Sequence, residues 1–184
     1  MYVATWSGLY ALREQKDQVL GERSAYFERW RRLPLTWDML SVNENLLVAT
    51  QDKGVFEVDG RNKKRVSGWG FTYDLSDSNK YRVIYAGTRT GLKGMVQTQN
   101  GWETFPFPEI DGEVRSVASG DNGVLWAGTI DGKVIRIVFS SDGRRVKSTV
   151  RYGPQSGLPE GYKALSKING EVTAVSKAGL FQVE

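Results

Sequence analysis

Apolar residues along the chain come in short runs broken by glycine, and five of these runs share one shape. Residues 3–10, 48–56, 85–92, 126–134 and 174–181 each read as an apolar stretch, a small residue, a few turn residues, Gly and a second apolar stretch. The small residue is usually Thr or Ser. β-Branched and aromatic residues favour extended backbone and the glycine supplies the positive φ of a tight turn, so each segment predicts a β-hairpin. Further extended stretches closed by turns precede three hairpins, at 39–42, 114–119 and 162–167. Polar turns and a fourth short stretch follow two of them, at 65–66 and 146–150. The unit recurs about every 40 residues across the chain.

Four strands in such a repeat describe a propeller blade. No stretch keeps a helical i, i+3, i+4, i+7 apolar stripe free of glycine, and residues 13–29 read as an enlarged loop with room for a helical turn. The expected fold is therefore all-β: a β-propeller of about five four-stranded antiparallel blades, whole or partial. It forms one domain over 1–184, with repeats at 1–35, 36–71, 72–112, 113–160 and 161–184. The first repeat opens on a second strand and the fifth ends after a third, so the two ends do not complete one blade. Three resolutions follow: a longer propeller, which is preferred, then a partner chain or second copy closing the ring, and an irregular five-bladed ring.

Composition narrows the chemistry. The 184 residues hold no Cys and no His, which excludes disulfide scaffolds, zinc fingers, Cys proteases, Ser-His-Asp hydrolases and imidazole acid–base catalysis. Glycine is abundant at 21 residues, as short strands and tight turns require. Twenty-five Lys and Arg against 21 Asp and Glu give a net charge of +4, too mild for a dedicated nucleic-acid binder. No apolar run is long enough to span a membrane, and the first residues lack the regions of a signal peptide. A native start at Met1 implies a cytoplasmic protein, whereas a piece of a longer sensor implies a periplasmic or extracytoplasmic one.

Residues 124–136, Val124-Leu125-Trp126-Ala127-Gly128-Thr129 through Arg136, resemble the repeat of two-component regulator propellers. That family repeats an apolar-Trp-apolar-Gly-Thr segment, turn residues and Gly-Leu-aromatic. The stretch 114–123 is similar to its first strand and Asp-x-x-Gly turn, and Gly157-Leu158-Pro159 to the loop between its blades. Thr98-Gln99-Asn100-Gly101-Trp102 is similar to the Asp-box turn of sialidase-like propellers. The first resemblance implies an extracytoplasmic sensor region that recognises a ligand, often a glycan fragment, and signals to a kinase.

In a propeller the residues leading into the innermost strands line one mouth of the channel. The candidates for ligand binding are Trp37, Asp38, Tyr73, Asp74, Arg115, Tyr162 and Lys163, with Arg89 from a hairpin turn. Other turn residues near that face are Trp6, 51–53, Ile130, Asp131 and Lys177. Rings beside carboxylates and cations suit a sugar or a peptide. The competing reading has Trp37 and Tyr73 packing between blades and Asp38 and Asp74 bonding turn amides. Trp126 reads as core. A basic group, Arg23, Arg29, Arg31 and Arg32 interleaved with Tyr26, Phe27 and Trp30, reads as a solvated loop or a face for an acidic partner. Asp38 and Asp74 could serve a glycosidase, and Asp121, Asn122 and Asp131 offer turn oxygens to Ca²⁺ without an ordered ligand loop. The expected function is non-catalytic recognition of a small-molecule or glycan ligand, with a protein-interaction scaffold second and a glycosidase third. No cofactor, metal or nucleic acid is called for.

Overall fold

A computed structural model describes residues 1–5, 7–16, 23–30, 33–60, 62–78 and 80–183. Trp6, Arg31 and Arg32 lie outside the described residues. Strands gather in five antiparallel meanders, each following chain order. Blade 1 holds β1 (Tyr2–Thr5), β2 (Gly8–Lys16) and β3 (Arg23–Arg29). Blade 2 holds β4 (Thr36–Val42), β5 (Asn45–Thr50), β6 (Gly54–Asp59) and β7 (Asn62–Arg65). Blade 3 holds β8 (Thr72–Ser78), β9 (Val83–Thr88), β10 (Gly91–Thr98) and β11 (Gly101–Pro106). Blade 4 holds β12 (Val114–Ser119), β13 (Val124–Thr129), β14 (Val134–Phe139) and β15 (Val146–Tyr152). Blade 5 holds β16 (Ala164–Ile168), β17 (Glu171–Ser176) and β18 (Gly179–Gln182).

The recurring hydroxyl before each turn has a local cause. Thr50 Oγ1 donates to the Gly54 carbonyl at 2.7 Å and Thr88 Oγ1 to the Gly91 carbonyl at 2.7 Å. The same oxygens accept turn amides, from Lys53 at 3.3 Å and Thr90 at 3.2 Å. One small side chain thus closes the hairpin and satisfies a turn donor. The glycine is equally constrained: Gly91 sits at φ +107°, and a Cβ there would collide with the Ile110 carbonyl.

Residues alternating along the middle strands face opposite neighbours, so the blades stack radially. Val48 and Phe56 face Leu9 and Ala11 of blade 1, whereas Leu47 and Val55 face Leu75 and Ile84 of blade 3. Tyr85, Leu92 and Phe107 meet Ile135, Ile137 and Phe139 between blades 3 and 4. Trp126, 4% exposed and therefore core, meets Leu165 and Val172 between blades 4 and 5. Each blade thereby buries both apolar faces against its neighbours, except at the ends, where Val3 of blade 1 and Leu180 of blade 5 are exposed.

One expectation needs correction. Residues 13–29 are not an enlarged loop: β2 continues to Lys16 and pairs with β3, Leu12 opposite Phe27 and Arg13 opposite Tyr26. The far end of β2 and the outer strand β3 carry polar residues on both faces, so no alternation betrays them, and Arg13 holds Glu28 across the pair at 2.9 Å. Blades 1 and 5 are three-stranded, in line with a first repeat that opens on a second strand and a fifth that ends after a third, and only blades 2, 3 and 4 have four strands among the described residues.

Candidate functional site

Hairpin turns and the leads into the inner strands share one face. The amides of Gln51, Arg89 and Ile130 donate to the carbonyls of Leu35, Phe71 and Glu113, just ahead of β4, β8 and β12. On this face the inner strands are irregular in the same place: pairing with the second strand slips between Thr36 and Asp38, between Thr72 and Asp74, and between Val114 and Ser116. The extra residues are Trp37, Tyr73 and Arg115. A bulge re-aims the side chain of its extra residue, and here it presents three such side chains at the channel mouth.

They touch in series. Trp37 meets Tyr73 edge to face with ring centroids 5.8 Å apart, and the Arg115 guanidinium lies 5.1 Å from the Tyr73 ring. Phe71 lies 6.2 Å from Tyr73 and carries Arg89 over its own ring at 5.2 Å. Glu113 accepts from Arg115 at 2.7 Å. Burial pushes the Tyr73 phenol up, and its hydrogen bond to Glu113 adds to this. Burial also pushes the Glu113 carboxyl upward, but hydrogen bonds from Tyr73 and Arg115 win and hold it below its usual value. Tyr162, 40% exposed, completes the arc beside Arg115. Trp37 is 38% exposed and so is not sealed between blades.

Asp38 and Asp74 lie one layer deeper and are committed elsewhere. Asp38 Oδ2 accepts the Leu75 amide at 2.9 Å, and Asp74 accepts the Leu75 and Val117 amides at 3.0 and 2.7 Å. Ser116 repeats the bond in blade 4, its Oγ accepting the Leu165 amide at 3.1 Å. A neutral hydroxyl doing the same work marks the role as a tie between consecutive inner strands. Burial raises both carboxyls, and at Asp74 the charge of Asp38 raises it further.

Lys163 does not reach the mouth. It is 1% exposed and its Nζ donates to the Gly132 carbonyl at 2.7 Å, locking blade 5 to a blade 4 turn. Burial pushes its pKa down. Phe71, a neighbour of the array that the sequence pattern passed over, precedes β8 by one residue. The Ca²⁺ reading fails on placement: Asp121 pairs with Lys167 at 3.2 Å and Asp131 with Lys133 at 2.6 Å, in turns at opposite ends of β13. Of the basic group, Trp30 is buried in the seam between blades 1 and 2, while Tyr26 and Phe27 are exposed on β3.

Inside the mouth the channel is polar. Ser76 and Ser119 bond at 2.8 Å across β8 and β12, beside a cavity of about 590 Å³ that continues past Leu75, Val117 and Leu165 to Lys80 and Asp121.

Comparison with solved structures matches this architecture. The extracellular domain of the putative one component system BT4673 from B. thetaiotaomicron superposes with TM-score 0.69 at 14% identity, over 98% of this chain and 25% of that one. The WD40 β-propeller domain of Doa1 gives 0.61 at 14% identity, over 98% of this chain and 61% of the other. PorZ, a bacterial surface component of the type-IX secretion system of Porphyromonas gingivalis, gives 0.63 at 13%, over 100% and 32%. The fold is a β-propeller. The chain spans a quarter to about three fifths of the propeller chains it resembles. No known protein family and no curated protein matches the sequence.

Proposed function

We propose that the chain is a non-catalytic recognition region of a sensor or surface protein, and that it binds its ligand on the mouth formed by Trp37, Tyr73, Arg89, Arg115 and Tyr162. The observation that carries this reading is the array of bulge residues: consecutive blades spend their irregular position on a ring or a guanidinium that faces outward and touches the next. Aromatic faces stack on sugar rings or peptide side chains, and two arginines against one Glu113 leave the surface weakly cationic. A glycan or small ligand with acidic or hydroxyl groups fits that chemistry. The extracellular and surface settings named for the BT4673 domains and PorZ support an extracytoplasmic placement. The carboxylate pair supports no hydrolase reading, since Asp38 and Asp74 are occupied by main-chain amides.

Binding to glycan and peptide arrays tests the proposal. Trp37→Ala and Tyr73→Ala are each expected to weaken the strongest wild-type interaction by roughly tenfold or more, with the β-sheet circular dichroism unchanged. Wild-type affinity in both variants would remove the mouth from the binding surface.

A further inference from the structure

A second cleft opens between blades 2 and 3 at the other end of the strands, away from the mouth. It is lined by Asn43, in the turn after β4, by Asp77 and Arg82, which bracket the β8–β9 turn, and by Ile84, Gln97 and Trp102. Its volume is about 500 Å³, within the roughly 300–1,000 Å³ of small-molecule sites. Two charged groups of its lining, Asp77 and Arg82, are left over by the fold. The Trp102 indole N–H is buried without an acceptor among the described residues. Asp77 makes no side-chain hydrogen bond or ion pair among them, although burial pushes its carboxyl up. Arg82, exposed and at φ +53°, likewise has no side-chain partner there, and its amide donates to the Ser78 carbonyl at 2.9 Å.

An acid and a guanidinium that line one cleft from the same hairpin, yet do not pair, ask for a ligand that supplies the opposite charge to each. The Trp102 indole N–H is sealed from the cleft, so its ring serves as an apolar wall rather than a donor. One guanidinium facing one carboxylate leaves no net positive field for a phosphate, and a single carboxylate makes no cation cage. The floor is apolar, with Ile84 and the Trp102 ring packed on the core of blades 2 and 3. The side wall is fixed by Asn43 Nδ2 donating to Gln97 Oε1 at 2.9 Å, which bridges the two blades. We propose that this cleft between blades 2 and 3 binds a small zwitterion of the α-amino-acid class. The ligand ammonium donates to Asp77, its carboxylate accepts from Arg82, and an apolar side chain lies against Ile84 and the Trp102 ring.

The test titrates the full chain with the free apolar L-amino acids at millimolar concentration. The readouts are calorimetry and the indole N–H resonance of Trp102, assigned by its loss in Trp102→Phe. At least one amino acid is expected to bind and shift that resonance. Its N-acetyl and its amide derivatives, each lacking one charge, are expected to bind at least about tenfold more weakly, as are Asp77→Asn and Arg82→Gln. The blocked ligands probe the wild-type protein, so the result stands whether or not a variant folds. An unmoved Trp102 resonance with every amino acid overturns the proposal, as does equal binding of free and blocked forms. Loss of amino-acid binding leaves the mouth untouched, because Trp37→Ala and Tyr73→Ala report on that face alone.

Discussion

Phe139→Ala is expected to remove about 3–5 kcal/mol of folding stability, read from urea unfolding with the slope held in common. Phe139 is buried at the end of β14, where the seam between blades 3 and 4 is built from rings. It stacks on Tyr85 with centroids 4.6 Å apart and 13° between planes, and it lies 5.1 Å from Phe107 and 6.5 Å from Tyr81. Tyr85 is anchored by its hydroxyl, which donates to the Gly143 carbonyl at 3.1 Å, so it cannot collapse freely into the space left behind. The truncation therefore loses transfer energy, aromatic contacts and cavity filling together. Against a total of about 5–15 kcal/mol for a domain, that is a large share. Tyr26→Ala on exposed β3 serves as the control, with a change within about 0.5 kcal/mol. A loss under about 1 kcal/mol for Phe139→Ala would mean that blades 3 and 4 do not meet through these rings.

Asp74 supplies the second large effect, and its sign depends on pH. Burial, first, and the neighbouring Asp38 charge, second, raise the Asp74 carboxyl well above its usual value. The folded chain then binds the proton more tightly than the unfolded chain does. The contribution of the pair is fully present below the ordinary aspartate range and is lost as pH rises through the raised values. Asp74→Asn removes that charge but keeps an oxygen for the Val117 amide. Its stability relative to wild type is expected to improve as pH is raised from about 4 to about 7. Asp74→Ala leaves the Val117 amide without its acceptor and should be about 1–3 kcal/mol less stable than Asp74→Asn throughout. Thermal unfolding of the three proteins across that pH range measures both differences. Parallel curves for wild type and Asp74→Asn would contradict the raised carboxyl.

The hairpins were legible because their determinants are local: a hydroxyl at Thr50 or Thr88 and a carbonyl three or four residues on. Outer strands were harder to see. Asn62–Arg65 is exposed throughout, so its alternation carries no hydrophobic signal. At the mouth, Trp37, Tyr73 and Arg115 could be found because each stands two residues before an apolar inner-strand position, Met39, Leu75 or Val117. Lys163 stands at the matching place before Leu165, yet its long stem lets the ammonium turn back to the Gly132 carbonyl. Aligning Ser116 with Asp38 and Asp74 would have revealed the inter-blade tie, since three different repeats place an acceptor there. The second cleft joins Asn43 to Gln97, a separation of 54 residues, and no spacing rule connects such positions.

The radial stacking of consecutive inner strands is tested most directly by nuclear Overhauser contacts at three amides. The structure requires the Leu75 amide to lie beside the Asp38 side chain, the Val117 amide beside Asp74 and the Leu165 amide beside Ser116. Contacts linking β4 to β8, β8 to β12 and β12 to β16 are the expected result. Main-chain contacts joining β7 to β8 and β11 to β12, as in one continuous layer, would contradict it.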